Sequence, residues 1–134
     1  VSTLKVDNIT GRGSTGFTGS VKSEGGNTTT DLQQGLAKVW VNFDGTGTIA
    51  ARDSLNLSSL TDIDTGRYQI NISSVFGNND YAPSFTCGFE QTAFGRIVCY
   101  DGAFTTSVIL IRTSLTTTTE DMPVITGNTH GDLA

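Results

Sequence analysis

The sequence has 134 residues, 36% of them hydrophobic and only 16% charged, with 16 glycines and a formal net charge of −5. This length supports one domain, and the core is thin for it, which points to further burial against a partner copy. The eight basic residues are scattered singly, so no nucleic-acid-binding face is expected, and no apolar run is long enough to span a membrane.

The N-terminus lacks a basic region followed by an apolar stretch, so no signal peptide is expected. A start at Val1 fits removal of an initiator Met, and a cleaved precursor would begin in the same way. Thr, Ser, Asn and Gly replace the usual Ala, Glu and Lys, and no 3.6-residue apolar period is sustained. An all-β chain is therefore expected.

Ser2 to Ile9 alternates, with Leu4 and Val6 on one face and Lys5, Asp7 and Ile9 on the other, and reads as an extended N-terminal strand. Thr10 to Thr30 is Gly-, Ser- and Thr-rich, with Phe17 and Val21 as its apolar anchors, and reads as an arm. Thr30 to Gly35 has the pattern of one capped helical turn stopped by Gly35. Strands are then expected at Leu36–Phe43, Thr48–Leu57, Arg67–Ser73, Ser84–Phe89, Arg96–Tyr100 and Thr105–Thr113. Asp44-Gly45, Thr46-Gly47, Thr65-Gly66, Gly77 to Asp80, Gly95 and Asp101-Gly102 supply the turns, and Asp62 to Gly66 joins the second strand to the third.

On the first of these strands Val39, Val41 and Phe43 point inward. Trp40 points to the arm, the helical turn or another subunit. The unbroken apolar run Val108 to Ile111 marks a central strand buried on both faces. Short strands at this spacing predict an antiparallel β-sandwich or jelly roll with an extended N-terminal strand and a Gly-rich arm. The expected organisation is strand and arm over 1–30, a sandwich body over 31–115 and a Thr-rich polar tail over 116–134.

Few residues invite chemistry. Gly11-Arg12-Gly13-Ser14-Thr15-Gly16 fits the dinucleotide fingerprint, but Phe17-Thr18-Gly19-Ser20 will not form the helix that must follow. His130, the only histidine, falls in the expected tail, a poor mount for a catalytic base. One His and two Cys are too few for a closed zinc site. Asp62 and Asp64 lack the further ligands and the Gly of a calcium loop. Asp53, Asp80, Glu90 and Asp101 read as solvated turn carboxylates rather than a hydrolytic pair. No catalytic residue, metal or cofactor is expected.

Cys87 and Cys99 flank Gln91 to Gly95, which reads as a hairpin loop. With the turn near Ala93 they would stand opposite one another, a candidate disulfide. The preferred reading is two free, buried thiols, as in a protein made in a reducing cytoplasm. Asn8, Asn27, Asn56 and Asn71 each begin a glycosylation-type tripeptide, expected by chance in so Ser- and Thr-rich a chain. Tyr68, Tyr81, Phe85, Phe89, Phe94 and Tyr100 would form a sugar-stacking platform if exposed together, but their alternating positions make most of them core residues.

Ser2-Thr3-Leu4-Lys5-Val6-Asp7-Asn8-Ile9 resembles the opening of small tail-fibre-like and head-surface proteins of tailed bacteriophages. Leu32 to Gly47, with Arg52-Asp53-Ser54, Asn56, Ser58-Ser59 and Thr65-Gly66-Arg67-Tyr68, resembles the β module that follows in them. The likeness covers the first half of the chain. It implies a non-enzymatic protein of the virion surface, commonly trimeric, whose partners are the major capsid protein or tail proteins. A compact body and a short arm suit a capsid decoration (cement) protein, with Leu4, Val6, Ile9, Phe17 and Trp40 as subunit or capsid contacts. The alternative is a tail-fibre or host-receptor module binding a surface glycan.

Overall fold

In the computed structural model the chain divides into two units, Val1–Leu36 and Ala37–Ala134. The structure describes residues 20–22, 29–31, 35–88 and 96–133. In the first unit, strands β1 (Ser20–Lys22) and β2 (Thr29–Asp31) pair antiparallel, with Ser20 opposite Asp31. Thr30 and Asp31 thus belong to a strand rather than to the start of the expected helical turn. Consecutive β-branched Thr29 and Thr30 favour that outcome. The expected strand with Leu4, Val6 and Ile9, and Phe17 after it, lie outside the described residues.

The second unit is an antiparallel β-sandwich. One sheet has the order β4 (Ala50–Leu55), β3 (Val39–Asp44), β11 (Val124–His130), β7 (Ala82–Gly88). In the other, β5 (Leu57–Asp64), β6 (Arg67–Ile72) and β9 (Val108–Leu115) pair in that order. There β8 (Arg96–Tyr100) lies along the far side of β9, and the two-residue β10 (Thr118–Thr119) pairs with its end. Alternation decides which side chains fill the space between the sheets. Val39, Val41 and Phe43 of β3 point inward and are fully buried, opposed by Tyr68, Ile70, Ile109 and Ile111 of the other sheet. Each such side chain contributes about 1.5–3 kcal/mol of hydrophobic stabilisation. Phe43 meets the Tyr68 ring edge-on, with centroids 5.4 Å apart. As expected, β9 is central, although Val108 and Leu110 on its outer side are only half-buried.

The single strand expected over Thr48–Leu57 is bent. Asn56 adopts a left-handed backbone with φ 61°, and there the chain leaves one sheet as β4 and enters the other as β5. Asparagine tolerates this conformation because its short amide can bond locally. Here the Asn56 amide donates to the Ser74 carbonyl at 2.9 Å, and its oxygen accepts from the Ser74 N–H at 2.6 Å. Strand β5 continues through Asp62 to Asp64, so the expected connection shrinks to the turn Thr65-Gly66.

The Thr-rich segment expected as a tail is part of the body. Strand β11 sits at the centre of its sheet, with Ile125 opposite Phe43 on one side and Cys87 on the other. Met122, Ile125 and Thr129 are fully buried. His130, read as a tail residue, is half-buried on β11 opposite Ala82.

Candidate functional site

The outer face of the β4–β3–β11–β7 sheet presents Trp40. Because Val39 and Val41 point inward, the pleat turns Trp40 outward, where it is half-buried. Leu55 of β4 pairs with it on one side and Asn128 of β11 on the other. A groove of about 320 Å3 runs from Trp40 across β11 to β7, lined by Ser84, Phe85, Thr86, Thr126, Gly127 and Asn128. Further along the same face Arg52 reaches over β3. It donates to Asp44 at 3.1 Å, to Asn42 at 3.4 Å and to the Pro123 carbonyl at 2.7 Å. The Thr46 hydroxyl and N–H, with Arg52 behind them, hold the Asp44 carboxyl below its usual range.

One end of the sandwich gathers the Asn56 corner, the loops 73–81 and 101–107, and residues 131–133. Four rings pack there. Phe76 stacks on Tyr81 with centroids 4.5 Å apart, Tyr100 stacks on Phe104 at 4.2 Å, and Tyr81 meets Phe104 edge-on. The Tyr81 and Tyr100 hydroxyls lie 3.2 Å apart. Burial and the neighbouring Tyr100 push the Tyr81 phenol above its ordinary pKa. Phe104 keeps 41% of its surface exposed. Sequence reasoning passed over both Phe76 and Phe104, because each stands in a Gly- and Ser/Thr-flanked loop with no alternating neighbours.

The opposite end closes on a hydrogen-bonded hub. The Tyr68 hydroxyl, fully buried, lies 2.9 Å from Asp121 Oδ1 and 3.1 Å from the Gly45 carbonyl. Its single proton serves the carboxylate first, the stronger acceptor. The same Asp121 oxygen accepts from the Gly66 N–H at 2.6 Å. Burial, then Asp121, raise the Tyr68 pKa. A Cβ on Gly45 would fall 2.5 Å from the Tyr68 hydroxyl, and one on Gly66 would fall 2.6 Å from the Thr113 carbonyl. Gly66 also has φ 67°, a left-handed backbone only glycine adopts freely.

Other polar residues are committed to structure. Asp101 accepts from Arg67 at 2.7 Å and Arg112 at 2.6 Å, and its side chain is 15% exposed. Asp53 and Asp64 accept from the N–H of the following residue. Cys87 lies on β7 opposite Ile125, and Cys99 on β8 opposite Arg112. The two strands belong to different sheets, so the hairpin opposition does not occur; both cysteines are thiols, as expected, but Cys87 is half-buried and Cys99 exposed rather than buried. A crevice of about 80 Å3 between β7 and β8, lined by Phe85, Val98, Cys99 and Tyr100, is too small for a substrate. Asn56 and Asn71 use their amides in hydrogen bonds within the fold. Glu90 and the residues 11–16 lie outside the described residues. Among the described residues no three of His, Cys, Asp and Glu gather as a metal site.

Of the expected sugar-platform residues, Tyr68 and Tyr81 are buried, Phe85 packs against the core, and Tyr100 joins the ring cluster. Phe89 and Phe94 lie outside the described residues. Of the five expected contact residues, only Trp40 is described, and it faces outward. Its neighbours Ser84, Thr86, Thr126 and Asn128 were not singled out from sequence. Their only signal was alternation, and on β11 that signal is weak. No protein-family model, no curated protein and no solved structure matches the chain.

Proposed function

We propose that the chain is a non-enzymatic structural protein of a tailed-bacteriophage virion, acting as a capsid decoration (cement) protein on the head surface. The observation that carries this reading is what the phage-like stretch builds. Residues 39–72 form β3 to β6, two strands of each sheet joined through the Asn56 corner. Within that stretch, Asp44 and Arg52 brace the first turn and Asn56 holds the corner. Gly66 and Tyr68 anchor the hub, and Arg67 grips Asp101. The resemblance therefore falls on residues that specify a scaffold, as a virion module requires.

Residues 1–30 supply attachment in this reading. Leu4, Val6, Ile9 and Phe17 meet neighbouring virion subunits, and backbone pairing to a sheet edge provides affinity without strong side-chain contacts. A trimer brings three such segments to one place on the shell, so that modest contacts act together. Gold-labelled antibody against the protein should decorate the heads of purified virions, and particles lacking it should burst at lower temperature. Label confined to tails, or equally robust particles that fail to adsorb to cells, would replace this reading with a tail-fibre or receptor-binding one.

A further inference from the structure

We propose that the groove beside Trp40 is a binding site for a neutral saccharide. It stands whether or not the protein belongs to a virion. The groove has a volume of about 320 Å3, at the lower end of the range of small-ligand sites. It crosses three strands spaced roughly 4.8 Å apart, so its walls stand about 10 Å from one another. That width admits a pyranose ring lying against the indole.

The lining chemistry selects the ligand. Trp40 offers an apolar face on β3, matched to the C–H face of a sugar ring. Ser84 and Thr86 on β7, with Thr126 and Asn128 on β11, offer three hydroxyls and an amide. Each of these groups both donates and accepts, as sugar hydroxyls do. Among the described residues, none of these four side chains is held in an intramolecular hydrogen bond. No ionisable residue lines the groove itself.

The site is also pre-formed. Its floor is β11, a central strand paired on both sides, and sites built on such strands hold their geometry. Beneath that floor Gly127 faces inward, and Phe85 fills the space its side chain would take, since a Cβ there would enter the Phe85 ring. Leu55, exposed at 47%, extends the apolar side beyond Trp40.

Trp40 is the only tryptophan in the chain, so its fluorescence reports the groove directly. The full chain would be titrated with neutral oligosaccharides of glucose, galactose, mannose and N-acetylglucosamine, with dextran sulfate as the charged control. At least one neutral probe should shift the emission saturably, and dextran sulfate should not. Calorimetry should show binding weakened about tenfold or more in Trp40→Ala and in the double variant Thr126→Val/Asn128→Ala, and largely kept in Trp40→Phe. The double variant changes only outward-facing side chains, so it keeps the test valid if Trp40→Ala misfolds. No neutral probe binding more tightly than about 1 mM would overturn the proposal. So would binding that survives the double variant, or Trp40→Ala altering only the sedimenting oligomer.

Discussion

The two ends of the sandwich are closed by different physics. At the turn end, one phenol and one carboxylate tie the β3–β4 loop, the β5–β6 turn and the approach to β11 together, and two glycines make the space. At the loop end, four aromatic rings pack by shape, and one keeps 41% of its surface in water. A buried polar hub is demanding, since any unpaired member is penalised in full. In the ring cluster Phe76 and Tyr81 are buried core, and the tolerance lies with the exposed Phe104, whose pair contacts are each modest. The difference places sequence restriction at one end and latitude at the other.

The largest expected effect comes from the core beside the hub. Phe43 is fully buried and rests edge-on against Tyr68, so Phe43→Ala should reduce stability by about 3–5 kcal/mol in urea denaturation. A loss below about 1 kcal/mol would show that the turn end does not depend on this packing. Next, Tyr68→Phe should destabilise by about 1–3 kcal/mol, because the Asp121 carboxylate loses the phenol as a donor. Tyr81→Phe, at the loop end, should cost less, about 0.5–1.5 kcal/mol, since its partner is another hydroxyl. Equal losses would erase the contrast between the ends.

Alkali sharpens the same comparison. Both Tyr68 and Tyr81 hold their protons more tightly in the folded chain than the ordinary value of 10.0. Below pH 10 both contributions are complete. Above it the unfolded tyrosine ionises while the folded one stays neutral, so the folded state binds more protons and stability falls as pH rises. The slope should be about 1.4 kcal/mol per pH unit for each tyrosine. Urea midpoints measured from pH 9 to about 11.5 should show it, and Tyr68→Phe should remove one tyrosine's share. A variant with the full slope would mean that Tyr68 is not the titrating group.

Those hub residues were partly legible in the sequence, and the reasons differ by element. Alternation disclosed Val39, Val41 and Phe43, and the span of β8 matched its expected limits at Arg96 and Tyr100. The reading as a sandwich followed from such strands. Strand β11 was hidden because its inward positions are Ile125, Gly127 and Thr129, of which only the first looks like core. The missing volume at Gly127 is filled from the next strand by Phe85, a cross-strand substitution that no single segment reveals. Asn56 read as an ordinary strand residue because its left-handed backbone is fixed by Ser74, eighteen positions away. The Trp40 face was legible as outward, whereas its groove required knowing that β11 and β7 lie beside β3.

The smallest expected effect lies at the exposed ring. Phe104 stacks on Tyr100 with an interplanar angle of 6° and leaves 41% of its surface in water. Its truncation removes one stacked and one edge-on contact but opens no closed cavity, so Phe104→Ala should cost about 0.5–1.5 kcal/mol rather than the 3–5 of a core phenylalanine. The Tyr100 hydroxyl donates to the Ala103 carbonyl at 3.1 Å, so the loop keeps one of its ties when the ring is gone. A thermal melt is the direct measurement, and the loss should be well below that of Phe43→Ala. A loss equal to that of Phe43→Ala would mean that the 101–107 loop is as firmly built into the core as the hub. The latitude assigned to the loop end would then be wrong, because Phe104 would be acting as core and not as cover.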